Sequence, residues 1–190
     1  MHDLVEEIVG VAPGRELAVL RPRDSEALLD EHAFEDDEFL PYWAELWPSG
    51  VALARAIAAR SLKGARVVEL GCGLGLPSIA AALAGGRVLA TDWSPVAIDL
   101  LRDNAERNGA ALEAAVVSWT APGALLERAP FDLVLAADVL YEQRNVAPLA
   151  ELLPRLGGEV LLADPGRPPL EEFLARVGTV WSRPPLYRLS

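Results

Sequence analysis

The chain has 190 residues, 52% of them hydrophobic, enough for one sizeable core. A net charge of −11 and a sequence pI of about 4.6 oppose nucleic-acid phosphates and favour encounter with a basic partner. One cysteine, Cys72, excludes an internal disulfide and a multi-cysteine metal site, and two histidines argue against a histidine metal site, so no metal is expected. The acidic opening "MHDLVEEIVG" lacks the basic segment of a signal peptide. No apolar run approaches the roughly 18 residues of a membrane span, so no membrane partner is expected. A cytoplasmic protein is the expectation. Lys63 is the only lysine among 17 basic residues, and alanine is abundant, which suggests a GC-rich bacterial genome.

Residues 1–40 are mixed: "ELAVLRPRD" is a candidate strand, and "SEALLDEHAFEDDEF" a short acidic helix or loop with a solvated face. In "WPSGVALARAIAAR", Ser49 is a candidate N-cap, and Val51, Ala54, Ile57 and Ala58 fall at helical spacing. An alternation follows. "ARVVEL" (65–70) predicts a strand, and "PSIAAALA" (77–84) a helix opened by Pro77 where no amide donor is needed. "RVLATD" (87–92) predicts the next strand. The helix in "SPVAIDLLRDNAERNG" has Ser94 as N-cap, Pro95 at its first position, an apolar face of Ile98, Leu101 and Ala105, and Gly109 as terminator. "LEAAVVSW", "FDLVLAAD" and "EVLLAD" predict three more strands, with helical patterns at 121–129 and 146–156 between them. "LEEFLARV" and "TVWSRPPLYRL" close the chain as helix and strands. Near-continuous apolar strands separated by helices predict a parallel sheet covered on both faces, joined by right-handed crossovers. The fold class is therefore α/β, doubly wound, in one domain over residues 1–190, with 1–40 an extension and 41–190 the core.

In such a sheet, ligands sit beyond the carboxyl ends of the strands, at the switch point. The turn "ELGCGLG" lies there, where Gly71 and Gly73 let the backbone pass close to a ligand. Dinucleotide binders use G-x-G-x-x-G to place a pyrophosphate on a helix N-terminus. Here the spacing is G-x-G-x-G, and Glu69 precedes it. A carboxylate there repels a pyrophosphate and suits a ligand bearing an ammonium and a sulfonium. That favours S-adenosyl-L-methionine over a nicotinamide cofactor. Asp92, ending the second strand, can accept both ribose hydroxyls in either class. Cys72 is tempting as a nucleophile, but no histidine falls in a motif to serve it; within the cofactor turn it reads as a small buried filler.

"ELGCGLG" with "TDWS" resembles the class I, seven-β-strand methyltransferases, with their Rossmann-like, mostly parallel seven-stranded sheet. "PYWAELWPSGVALARAI" and "FDLVLAADVLYE" resemble the protein-lysine methyltransferase branch and its acid-x-x-Tyr signature. "LLADPGRP" and "TVW" are most similar to the electron-transfer-flavoprotein β-subunit lysine methyltransferases and their bacterial relatives. The resemblance implies that Trp47 covers the cofactor mouth and that Glu69, Gly71 and Gly73 hold the amino-acid moiety. It implies that Asp92 takes the ribose, with Trp93 beside the adenine. Ser118-Trp119 stands where many relatives have Asp-Trp framing the adenine; the serine can hydrogen-bond but carries no charge.

The resemblance also places Asp138 and Tyr141 in the acceptor pocket, and their position at the end of the fourth strand agrees. A carboxylate and a phenol there can orient an amine against the methyl group, and in-line transfer depends mainly on positioning. Asp138 would capture and orient the amine, since nearby negative charge raises an amine's pKa. The alternatives are a turn cap for Asp138 and a core aromatic for Tyr141. Trp43 and Trp181 are expected to be packing residues, and Asp164 with Arg167 a local turn pair, with a contact to the substrate as the second alternative. The expected reaction is methylation of a protein lysine, leaving S-adenosyl-L-homocysteine as product. The alternatives are a small-molecule N- or O-methyltransferase, a degenerate binding module, and a nicotinamide oxidoreductase, which Glu69 disfavours.

Overall fold

A computed structural model describes residues 3–25, 42–179 and 181–189. Beyond Ser25, the acidic segment expected as helix or loop lies outside the described residues, and so does the Trp181 side chain.

An antiparallel hairpin comes first, from β1 (Leu4–Ala12) and β2 (Arg15–Pro22). The second strand was expected from "ELAVLRPRD"; the first was not. Then follow α1 (Pro48–Ala58), β3 (Arg66–Leu70), α2 (Leu76–Leu83), β4 (Arg87–Asp92), α3 (Pro95–Arg107) and β5 (Glu113–Val116). The chain continues through α4 (Gly123–Leu126), β6 (Leu133–Ala137), α5 (Val146–Leu156), β7 (Glu159–Ala163), α6 (Pro169–Val177), β8 (Trp181–Arg183) and β9 (Leu186–Leu189). Seven strands form one sheet in the order β5-β4-β3-β6-β7-β9-β8. The strands β5 to β7 pair in parallel, and β9 runs antiparallel to both β7 and β8. The mostly parallel seven-stranded expectation holds.

The sheet is covered on both faces, and the strand period of two assigns the residues. Val67, Leu133, Leu135, Leu161 and Ala163 pack with α1, α2 and the hairpin. Their alternates Val68, Val134, Ala136, Val160 and Leu162 pack with α5 and α6. Each fully buried Val or Leu contributes about 1.5–3 kcal/mol. This is why these strands read as unbroken apolar runs. Among the described residues, no helix is long and apolar enough to cross a membrane.

Caps follow the sequence in one helix and not in another. Ser94 caps α3 by accepting the Ala97 amide at 3.3 Å, with Pro95 next. In α1 the cap position is Trp47, and Ser49 lies inside the helix, buried. Pro48 starts that helix one residue earlier than a Ser49 cap would.

Two asparagines on α3 attach the hairpin. Asn108 accepts from Ala18 N at 2.9 Å and donates to Ala18 O at 2.7 Å. Asn104 accepts from Leu20 N at 2.7 Å and donates to Leu20 O at 3.1 Å. Residues i and i+2 of a strand present their amides to one side, and residues i and i+4 of a helix share a face, so two carboxamides act as a surrogate strand. Asn104, fully buried, also donates to Leu74 O at 3.1 Å in the glycine turn. Asn104→Ala leaves Leu20 N, Leu20 O and Leu74 O without these partners and is expected to lower stability by about 2–4 kcal/mol. Asn108→Ala, at a half-buried position, should cost less; urea denaturation of both variants measures the difference.

Candidate functional site

Strand order reverses between β3 and β6, so the crevice between their carboxyl ends is open, as at other switch points of such sheets. A cleft that opens to solvent lies there. Its floor is the turn after β3. Gly71, Gly73 and Gly75 have φ of 65°, 50° and 85°, the left-handed region that glycine enters freely. A Cβ on Gly73 would stand 3.1 Å from the Trp43 carbonyl oxygen, and one on Gly75 would stand 1.8 Å from Leu101 Cδ1. The turn is closed by Cys72 N donating to Thr91 O at 2.9 Å and Gly75 N donating to Cys72 O at 2.8 Å.

Four carboxyl groups are buried at the ends of four neighbouring strands: Glu69 on β3, Asp92 on β4, Asp138 after β6 and Asp164 after β7. Each is held differently. Glu69 accepts from the Ser78 hydroxyl on α2. Burial pushes its carboxyl up from 4.5 to about 8, with Ser78 pulling it down and Asp92 adding repulsion. Asp92 Oδ2 accepts from Gly73 N at 2.9 Å and Oδ1 from Ser94 N at 3.0 Å, tying the turn to the start of α3. Burial still moves its carboxyl above the usual value.

Asp138 has φ of 55°, the one non-glycine residue with positive φ among those described. Aspartate tolerates this region better than most residues, and strain of this kind gathers at functional sites. Its backbone N donates to Ala163 O at 2.9 Å, and its Oδ1 accepts from Arg167 Nη2 at 2.8 Å. Desolvation raises its carboxyl above the ordinary range, while Arg167 and the Ser49 hydroxyl favour the charged form. Asp164 Oδ1 accepts the amides of Gly166 and Arg167, each at 2.8 Å. The expected turn pair thus exists at the backbone, but the guanidinium belongs to Asp138.

Of the residues singled out from the sequence, Trp47, Glu69, Gly71, Cys72, Gly73, Asp92, Trp93, Trp119, Asp138 and Tyr141 all line the cleft. Ser118 is exposed, sits 2.9 Å from the Thr120 hydroxyl and is not among the lining residues. Burial beside Asp92 and Glu69 raises the Cys72 thiol well above its usual value, so it stays protonated. Tyr141 is half-buried, and desolvation raises its phenol too. Its ring lies 4.8 Å from that of Tyr42. Trp47 Nε1 donates to Tyr42 O at 2.7 Å, and Arg167 lies over the Trp47 ring at 5.4 Å.

Sequence reasoning missed Tyr42 and Glu45 as cleft residues and ranked a substrate contact for Arg167 behind a turn pair, whereas Arg167 lines the cleft; Trp43 both packs on the core and lines the cleft. No spacing signal ties them to the glycine turn. Among the described residues, Arg167 is the only basic residue of the lining, against Glu45, Glu69, Asp92 and Asp138. A cleft so charged fits a cationic ligand. Among the described residues, no group of three acids, histidines or cysteines is arranged to hold a metal ion.

A family model described as lysine methyltransferase matches residues 33–163. The chain belongs to the lysine methyltransferase family. It is similar to the electron transfer flavoprotein β subunit lysine methyltransferase of Xenopus laevis, 36% identical over 135 residues, 67% of this chain and 53% of the frog protein. It is also similar to the protein N-lysine methyltransferase METTL21A of Danio rerio, 31% identical over 150 residues, 74% of this chain and 68% of the fish protein. The chain spans about half the length of the flavoprotein-methylating relatives it matches. Its fold is similar to that of the T. thermophilus 16S rRNA methyltransferase RsmC, solved with AdoMet and guanosine, with a TM-score of 0.62, 20% identity, and coverage of 98% of this chain and 49% of that one.

The buried Glu69 has a signature in the stability of the protein. Its folded pKa of about 8 exceeds the unfolded 4.5, so the folded form keeps a proton that the unfolded form releases. Stability from this group is present below 4.5, declines as pH rises towards about 8, and is gone above it. In Glu69→Gln, the fall in Tm between those two pH values is expected to flatten, and the variant should gain on the wild type at alkaline pH. Thermal melts across the window check both.

Proposed function

We propose that this chain is an S-adenosyl-L-methionine-dependent methyltransferase that methylates a lysine side-chain nitrogen of a protein. One observation carries the reading: a cleft at the switch point lined, among the described residues, by four carboxyls and one guanidinium, with Asp138 and Tyr141 on the wall next to the glycine turn. The lining suits a ligand that brings an ammonium and a sulfonium, and when bound that cofactor supplies an electrophilic methyl group.

The chain's own residues then divide the work. Gly71 and Gly73 leave the backbone uncovered on the floor, and Cys72 is the buried residue between them. Glu69 presents its carboxyl to the ammonium end, where a bound cation draws the proton off. Asp92 spends one lone pair of each oxygen on backbone amides, leaving the others for the ribose hydroxyls. Trp93 and Trp119 offer flat faces for the adenine, and Ser118 stands at the edge beside Thr120. Trp47 covers the mouth. Asp138 and Tyr141 orient the incoming amine; the phenol stays protonated and acts through hydrogen bonds, not as a base. No covalent enzyme intermediate is needed, which agrees with a protonated Cys72.

The net charge of −11 suits a basic protein target and opposes a nucleic-acid one. In this reading residues 41–190 carry the catalytic core and residues 1–40 an extension that includes the hairpin. The reading includes a cytoplasmic compartment, which the acidic composition and the single buried cysteine suit.

Two measurements test the proposal. S-adenosyl-L-homocysteine should raise the Tm of the wild type, and Asp92→Ala should abolish that shift; a shift from NAD instead would overturn the cofactor. Asp138→Asn and Tyr141→Phe should keep the shift while lowering turnover about 10-fold or more. Radiolabelled cofactor with lysate from a strain lacking this gene should place base-stable label on lysine of a discrete protein. Label confined to small molecules would move the acceptor to a metabolite.

A further inference from the structure

Among the described residues, Asp138 and Arg167 form the one ion pair in which a cleft carboxylate meets a cation of the cleft. The two residues come from different loops, Asp138 from the end of β6 and Arg167 from the segment between β7 and α6. Each is fixed independently. Asp138 is aimed by its positive φ and its hydrogen bond to Ala163. Arg167 is held by its amide on Asp164 and by the Trp47 ring beneath its guanidinium. The pairing is one-sided: Nη2 occupies Oδ1, while the buried Oδ2 of Asp138 and the buried Nε of Arg167 each lack a partner within hydrogen-bond geometry, with the Ser49 hydroxyl near the carboxylate. A guanidinium that served only to neutralise a buried acid would gain most from a two-pronged pairing with both oxygens.

We propose that Arg167 is a positioning residue for the acceptor nitrogen: it occupies Oδ1, offsets the charge of Asp138, and leaves Oδ2 as a single acceptor for an uncharged amine. The inference rests on the methyltransferase reading above and adds the protonation state that the pocket selects. An uncompensated Asp138 would pair with the lysine ammonium and hold it protonated, with no lone pair to offer. An opposite charge within about 4–6 Å shifts an ionisable group by about 1–3 units. A guanidinium bonded to the carboxylate cancels most of that pull. What remains is one hydrogen bond, which orients the nitrogen without stabilising its charged form.

Other titratable groups surround the pair. From the chain before Trp47 come Tyr42 and Glu45; from β3, the turn after it and β4 come Glu69, Cys72 and Asp92. The loop after β6 brings Tyr141, with Glu142 and Arg144 near it, and β7 is followed by Asp164. Glu69, at about 8, titrates in the range where a lysine reaction is read. All are common to the wild type and to Arg167 variants, so the difference between profiles isolates the guanidinium.

The test uses the full chain, radiolabelled S-adenosyl-L-methionine and the macromolecular fraction of the gene-deleted lysate, with initial rates followed against pH. Arg167→Gln keeps a donor for Oδ1 and removes the charge; Arg167→Lys keeps the charge. Expected for Arg167→Gln are an unchanged Tm shift with S-adenosyl-L-homocysteine, a rate about 10-fold lower at neutral pH, and an acid limb displaced upward by about one unit or more. Arg167→Lys should stay close to the wild-type profile. A Gln variant with the wild-type pH profile, or a Lys variant displaced as far as Gln, overturns the proposal. Loss of the S-adenosyl-L-homocysteine shift in both overturns it too, by moving Arg167 to the cofactor half. The failure of the parent reading looks different: wild-type label only on small molecules removes the protein lysine, and the same pH comparison on that fraction still decides Arg167. No wild-type label in either fraction overturns both.

Discussion

Four carboxyl groups buried along one sheet edge are the constraint from which the rest of this structure follows. Glu69, Asp92, Asp138 and Asp164 end neighbouring parallel strands, and removing that much negative charge from water is costly unless each group is neutralised or hydrogen-bonded. The fold answers in four ways: a proton and a serine for Glu69, two backbone amides for Asp92, a guanidinium for Asp138, and a tight turn for Asp164. Two of these answers need particular local backbone. The amide of Gly73 reaches Asp92 because the turn runs through positive φ. The amides of Gly166 and Arg167 reach Asp164 because the chain doubles back directly after β7. The glycines and the acids are therefore one device, not a loop and its ornaments.

That device explains why some of the molecule was legible in the sequence. β3, β4, β6 and β7 are buried on both faces, so they appear as apolar runs ending in an acid, and the run, its end and the site are one signal. Ten of the eleven residues singled out line the cleft; nine of them lie within a few residues of such a strand end or at the helix before it, and Trp119 follows β5. Ser118 fails for a related reason. Strand β5 is the sheet edge and ends at Val116, so the chain beyond it points the serine outward while Trp119 turns in.

What was not legible depends on contacts between distant segments. Arg167 follows "ADPG" as an ordinary turn arginine would, and nothing local marks its partner 29 residues earlier. Ser49 has the composition of a cap, yet Pro48 opens the helix first and burial turns the hydroxyl towards Asp138. The first hairpin strand has an exposed–buried pattern too irregular for a period of two, with Ile8 exposed and Gly10 before a register shift. Asn104 and Asn108 were assigned no role, although the spacing of Asn104 from Leu101 sets it on the buried stripe of α3. That spacing was the available signal: a carboxamide on an apolar stripe must find backbone to bond.

The two halves of the cleft are held by unlike means, and this bears on how the site does its work. On the cofactor side, the turn is fixed by backbone hydrogen bonds at Cys72, Gly73 and Gly75, and Asn104 links Leu74 to the hairpin, so its geometry is set before any ligand arrives. On the acceptor side, the geometry rests on side chains: Asp138 against Arg167, Arg167 over Trp47, and Tyr42 against Tyr141. Methyl transfer draws its rate from alignment more than from acid or base strength, so a rigid cofactor floor is the economical half to make from backbone. In the function proposed above, the acceptor half has to admit a long, cationic side chain and release it methylated. Half-buried aromatic and guanidinium faces, stacked but not locked, suit that passage, and the proposal gives a single oxygen of Asp138 the final angle of the nitrogen.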